Sequence, residues 1–313
     1  MKNFKKSGCP GHIASVAHIY QRTENGFLIF YSLADFLVFF TVFCTTARCR
    51  KMTVLGVCPM LDHIHSITVA DSRDAVRPFV RDYSSLFSRE RNTILGKDHP
   101  VHLDTFGCAI KKGDKMIRTA LSYLYNNPGE KGLCRKAPEY RWTFLAYANS
   151  NHPYSEPLRI SEASRALRRA IKLVDYYNSH NKYLKYNWIA GMYDSLDERE
   201  SEQLTDYIIS KYNCIDYDAM ISLYGSFEKA CLAFDSNQGS EYEIKEDYSR
   251  DSHRSYFRAS EILKNQFGYE DINRLLALPS HKREAFSRLL TNQGVLSRRQ
   301  ADKYFRIPWH SKG

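Results

Sequence analysis

The rhythm of apolar and polar positions changes along this chain and divides it in two. In the first half, short β-rich runs alternate with longer helical ones. Residues 18–22 (HIYQR) alternate as a strand does, and residues 32–49 hold the most apolar run, read as a core helix. Residues 51–57 (KMTVLGV) and 63–69 (HIHSITV) are β-branched runs broken at Pro59. Helical spacing over 76–91, a short strand candidate at 105–110 and a helix over 117–125 that stops before Pro128 complete the series. Strands and helices interleaved through short connections predict the α+β class.

After His152–Pro153 the strand signals stop. Ser161 is expected to cap a helix whose buried stripe is Ala163, Ala166, Leu167, Ala170, Ile171 and Val174. Arg165, Arg168, Arg169 and Lys172 fall on its other face. Everything from there to Gly313 reads as helical, which places a boundary near Ser155 between residues 1–153 and 154–313. The pattern contains no internal repeat and no low-complexity stretch.

Composition narrows the class. A chain of 313 residues, 43% hydrophobic and 26% charged, has the means to build a core. Its 15 glycines and 10 prolines exclude collagen-like and low-complexity architectures. The net charge of +10 favours polyanionic partners, although residues 191–251 hold fifteen Asp and Glu against five Lys and Arg. The basic character therefore lies outside that acidic stretch. Eight cysteines without a CxxC pair, and with Cys9/His12 as the lone CxxH, do not make a zinc framework. They read as reduced thiols and point to the cytoplasm. Residues 1–12 have no apolar segment behind them, and the run 33–44 contains Asp35 and falls short of the roughly 20 residues a bilayer span needs. The expectation is no membrane segment.

The chemistry concentrates in two places. His63 and His65 are i and i+2 on the strongest strand candidate, so both imidazoles share one face with Ile64 turned to the core. Two neutral imidazoles are part of a divalent-metal site. Tyr123 and Asn127 are i and i+4 on a helix, and the Asn127 amide oxygen is a hard ligand that completes a three-ligand set. Tyr123 then stands one turn away with its hydroxyl available. A tyrosine is a poor nucleophile unless its target is activated, and a metal polarising a phosphodiester oxygen supplies that activation.

These residues resemble the single-tyrosine HUH transposases, specifically the REP-associated tyrosine transposase branch. The family's histidine–hydrophobe–histidine strand is matched by His63, Ile64 and His65, and its tyrosine helix by Tyr123, Leu124, Asn127 and Pro128. Tyr140 and Trp142 are similar to the family's Tyr-x-Trp stretch, and His18-Ile19-Tyr20 to its opening strand. The likeness covers roughly residues 12–153. It departs from the family at Leu61-Asp62, where Pro-Asn is usual, and at Tyr125, where a histidine is common. Asp62 has the chemistry to hydrogen-bond a histidine ligand. Tyr125 projects about 200° from Tyr123 and reads as packing, with a competing nucleophile as its alternative role.

The resemblance implies a ferredoxin-like antiparallel sheet with the histidines on a central strand. It implies Mg²⁺ or Mn²⁺ on His63, His65 and Asn127, and attack by Tyr123 on single-stranded or hairpin DNA. The product is a 5′-phosphotyrosine and a free 3′-OH, which another strand end can reverse. A homodimer is also within the family's range, because its active site is built in one chain or shared between two.

Further basic positions suit a DNA backbone. Lys111, Lys112, Lys115 and Arg118 precede the tyrosine helix, and the face of Arg165, Arg168, Arg169 and Lys172 follows it. Near 281–307, a helix ending at Gly294 is followed by a second one that Ser297 and Gln300 cap, carrying Arg298, Arg299 and Lys303. Helix, short turn and basic helix is the helix-turn-helix pattern. Two other readings share these residues: a non-catalytic DNA-binding descendant of a transposase, and a metal-dependent phosphoesterase that uses water. No GxSxG, P-loop or GxGxxG supports acyl-transfer or nucleotide-binding chemistry.

Overall fold

A computed structural model describes residues 13–23, 26–95, 103, 106–236, 253–268 and 272–308. The first half runs β1 (Ser15–Arg22), α1 (Leu33–Arg50), β2 (Val54–Pro59), β3 (His63–Val69), α2 (Arg73–Leu95), β4 (Gly107–Lys112) and α3 (Asp114–Glu130). The strands form one sheet in the order β2-β3-β1-β4, with every neighbouring pair antiparallel. β3 is thus an interior strand, with Cys58 opposite His65 on one side and Tyr20 opposite it on the other.

Alternation along the strands splits the sheet into two unlike faces. Ala17, Ile19 and Ile64 point to the face that α1 and α2 cover, in a cluster rich in phenylalanine. Phe39 and Phe43 meet Tyr83 of α2, while Phe36 stacks on Trp142 and Phe40 on Phe144 at ring separations of 4.2 and 3.9 Å. A helix surrounded by such contacts is apolar all round, which explains the unbroken run in its sequence. The charge within that run, Asp35, is not an interruption. Asp35 sits in the first turn, where its Oδ2 accepts from the Tyr31 and Ser32 amides in a capping box with Ser32. Its other oxygen accepts from Arg91 of α2 at 2.6 Å and from the Tyr186 hydroxyl at 2.8 Å.

From residue 165 on, the described chain is helical: α4 (Arg165–Ser179), α5 (Tyr186–Tyr193), α6 (Glu198–Tyr212), α7 (Tyr217–Ser222), α8 (Phe227–Ser236), α9 (Arg254–Phe267), α10 (Ile272–Leu276), α11 (Ser280–Asn292) and α12 (Arg298–Phe305). α5 and α6 pack on α1, and Leu167, Val174, Leu204 and Ile208 join the same apolar cluster as the phenylalanines. No helix among the described residues is long and apolar enough to cross a membrane.

Several expected element ends shift by a few residues, β2 taking in Pro59 among them, and two of the shifts have a visible cause. α4 is capped by Ser164, not Ser161: the Ser164 hydroxyl oxygen accepts from the Leu167 amide at 3.1 Å while the hydroxyl donates to Glu200. α3 runs through Pro128 to Glu130 instead of stopping before it. Proline in the final turn removes only one helical donor, and the Lys131 and Leu133 amides close the end onto the Asn127 and Pro128 carbonyls. Met1–His12, with the Cys9/His12 pair, and most of the acidic stretch beyond Ser236 lie outside the described residues. The seven described cysteines are free thiols.

Candidate active site

Gly113, at φ 75°, turns the chain out of β4 and sends α3 across the sheet face opposite α1. Ile117, Leu121 and Leu124 seat the helix in a second apolar cluster with Leu55 and Ile67. That seating fixes its two flanks. On one, Tyr125 lies over β2, where its hydroxyl donates to the Leu55 carbonyl at 3.1 Å and its ring stacks on Phe234. Gly56 makes this approach possible, because a Cβ there would stand 2.9 Å from the Tyr125 oxygen. Burial pushes the Tyr125 hydroxyl well above its ordinary acidity range, so it is a packed and neutral phenol.

On the other flank, Tyr123 and Asn127 lie over β1 and β3. The Tyr123 ring is 5.5 Å from that of His65 and 5.8 Å from that of His18. Asn127 Nδ2 is 3.4 Å from His65 Nε2, and His65 Nδ1 is 3.1 Å from His18 Nε2. Burial, with His63 and His18 alongside, holds the His65 imidazole well below the usual histidine range, so it is neutral. An amide nitrogen only donates, so with the amide assigned this way His65 Nε2 carries a lone pair and Nδ1 donates to His18. His18 is thus part of the site. In the sequence it falls on the opening strand, where its i, i+2 relation to Tyr20 is the available signal.

His63 is oriented by its neighbour in sequence: Asp62 Oδ1 is 2.7 Å from His63 Nδ1. Burial raises the Asp62 carboxyl, but His63, His253 and Lys303 outweigh it and hold the group well below the usual carboxylate range. An ionised carboxylate only accepts, so the His63 proton sits on Nδ1. His63 Nε2 and Asn127 Oδ1 are both buried and have no hydrogen-bond partner. Orphaned polar atoms of this kind are costly, and a cation would satisfy both. Among the described residues, no three His, Cys, Asp or Glu side chains gather as a metal-binding group. A set of two imidazoles and an amide falls outside that composition. The site is also enclosed: Tyr123 is 3% exposed, Asn127 1% and His65 0%.

The expected DNA-contacting residues separate into groups. Lys115 and Arg118 line a cleft of about 380 Å³ with Thr119, Ser122 and Tyr224, where α3 meets α8. Lys112 is exposed, whereas Lys111 is buried at 3% exposure and presents no surface charge. Arg165, Arg168, Arg169 and Lys172 are exposed on α4, which packs on α5 and α6. Those helices contact α1, on the sheet face away from the histidines, so this basic face is not brought to Tyr123.

The α11–α12 pair has the expected capping box at Ser297/Gln300 and a turn through Gly294 at φ 67°. Arg298 and Arg299 are exposed at the start of α12, the end a recognition helix uses. Lys303 is not: its Nζ donates to Asp62 Oδ2 at 3.1 Å, which turns it inward to the histidine site. The chain matches no known protein family, no curated protein and no solved structure.

Proposed function

We propose that this chain is a metal-dependent DNA nicking and strand-transfer protein of the single-tyrosine transposase kind, built on a ferredoxin-like sheet with its paired histidines on an interior strand. One observation carries the reading. A tyrosine and an asparagine one helical turn apart lie over an i, i+2 histidine pair, with His63 Nε2 and Asn127 Oδ1 buried and unpartnered beside them. The β1-α1-β2-β3-α2-β4 order with strands arranged β2-β3-β1-β4 supports the fold assignment.

His63, His65 and Asn127 would hold Mg²⁺ or Mn²⁺. Such an ion, when bound, polarises a phosphate oxygen and offsets charge developing on it. Tyr123 Oη attacks the scissile phosphorus, forming an O–P bond as the bond from phosphorus to the 3′ oxygen breaks. The tyrosine proton departs, the 3′ oxygen gains one, and a 5′-phosphotyrosine remains beside a free 3′-OH. Attack by another 3′-OH releases Tyr123 and rejoins the strand. Lys115 and Arg118 line their cleft against α8, on the flank of α3 that carries Tyr125, so any phosphate they bind would belong to a part of the DNA away from the Tyr123 hydroxyl.

The enclosure of Tyr123 favours a second reading, a DNA-binding descendant without catalysis. Labelled single-stranded hairpin DNAs incubated with Mn²⁺ and run on a denaturing gel separate the two. A protein–DNA adduct formed by the wild type and lost in Tyr123→Phe and in His63→Ala/His65→Ala supports catalysis. A native-gel shift with no adduct from the wild type across the hairpin panel supports the second reading. Hydrolysis that survives Tyr123→Phe points to a water-using phosphoesterase.

A further inference from the structure

Asp62 is the meeting point of three distant parts of the chain. Its Oδ1 lies 2.7 Å from His63 Nδ1 and 3.5 Å from His253 Nε2, and its Oδ2 accepts from Lys303 Nζ at 3.1 Å. His253 directly precedes α9 and Lys303 lies within α12, so both come from the helical half. Neither is there by accident of a loose side chain. The His253 amide donates to the Lys131 carbonyl at the end of α3, which pins this residue beside the tyrosine helix. The Lys303 carbonyl accepts from the Leu28 amide. α9 and α12 are joined to each other by a Ser260–Tyr304 hydroxyl contact of 2.7 Å and by stacked Tyr256 and Tyr304 rings. The two helices form one wall, and a lysine and an imidazole from it converge on a single carboxylate.

We infer that His253 and Lys303 are positioning residues for the histidine pair: they hold the Asp62 carboxylate in place so that it fixes His63 with its proton on Nδ1 and its lone pair on Nε2. The inference rests on the reading of His63 as a metal ligand. A carboxylate behind a ligating imidazole sets the tautomer and ring orientation, and its loss typically costs 10–100-fold in metal affinity. A carboxylate released from its other partners rotates and loses that hold. His253 is buried, with its ring against that of His63 and its Nε2 3.5 Å from Asp62 Oδ1, which makes it a packed post beside the carboxylate. The helical half would then be a structural part of the active site rather than an appended DNA-binding module. It supplies a role for Asp62, which stands where the resembled family has a different residue.

The test uses the full chain without metal, labelled with ¹⁵N-histidine, and reads the His63 tautomer from imidazole nitrogen shifts. His63 is assigned by its disappearance in His63→Gln. The wild type is expected to show His63 wholly as the Nδ1–H form. His253→Ala/Lys303→Met is expected to show a mixture of tautomers, with Lys303→Arg restoring the wild-type pattern. Mn²⁺ titration of the same variants is expected to show affinity reduced about tenfold. Should the double variant fail to fold, Lys303→Met alone serves, since that side chain is 21% exposed. An unchanged Nδ1–H tautomer in the folded variant overturns the inference, whatever the Mn²⁺ result. A wild type that takes up no Mn²⁺ overturns the metal-site reading instead, and the tautomer measurement still decides this one.

Discussion

The two faces of the four-stranded sheet are built to opposite rules. Behind β1 and β3, Ala17, Ile19 and Ile64 meet phenylalanines from α1, and each ring there finds another ring or an aliphatic neighbour. In front, the alternate residues His18, Tyr20, His63 and His65 lie under Tyr123 and Asn127, with polar atoms left over. The back face is held mainly by packing, with Gln21 accepting from Tyr83 and the Ser66 and Thr68 hydroxyls buried between apolar side chains with no partner among the described residues. The front face gathers imidazoles at a cost in desolvation and in unmet hydrogen bonds. Packing accounts for most of the first arrangement and not for the cluster of imidazoles in the second, and the metal-site proposal rests on that cluster.

The contrast is breakable by substitution. Phe40→Ala removes a fully buried ring stacked on Phe144 and is expected to cost about 3–5 kcal/mol in urea unfolding, while a folded fraction keeps its Mn²⁺ affinity. Gly56→Ala is expected to cost about 1–3 kcal/mol, because the new methyl meets the Tyr125 oxygen at 2.9 Å on the flank away from the histidines. If it were neutral, the close seating of α3 on β2 would be wrong. Tyr125→Phe removes only the bond to the Leu55 carbonyl and is expected to cost about 1 kcal/mol. It should leave DNA adduct formation at the wild-type rate; a lost adduct would move the nucleophile to Tyr125. Ser164→Ala, at the cap of α4, is expected to cost about 1 kcal/mol and nothing at the site.

Much of the front face is legible in sequence, because its geometry is local. The i, i+2 spacing of His63 and His65 survives as a shared strand face, and the i, i+4 spacing of Tyr123 and Asn127 as a shared helix flank. Tyr125 falls on the packed flank that its angle along the helix implies. What failed was set by neighbours rather than by period. Ser161 is the cap the sequence suggests, but Ser164 takes that place, where Glu200 from another helix engages it. Lys303 reads as part of a basic helix face until Asp62, 241 residues earlier, turns it inward. Lys111 reads as a surface cation, yet its strand position opposite Val16 places it inside. No local pattern announces that His253 and Lys303 would meet a carboxylate beside His63.

The most direct measurement of whether the front face is a metal site is Mn²⁺ uptake by the full chain, followed by electron paramagnetic resonance. The wild type should take up one tightly held ion, and His63→Ala, His65→Ala and Asn127→Ala should each lose that binding by tenfold or more while remaining folded by circular dichroism. Equal uptake by the wild type and all three variants would contradict the assignment, and would leave the buried histidines as a polar network without a ligand.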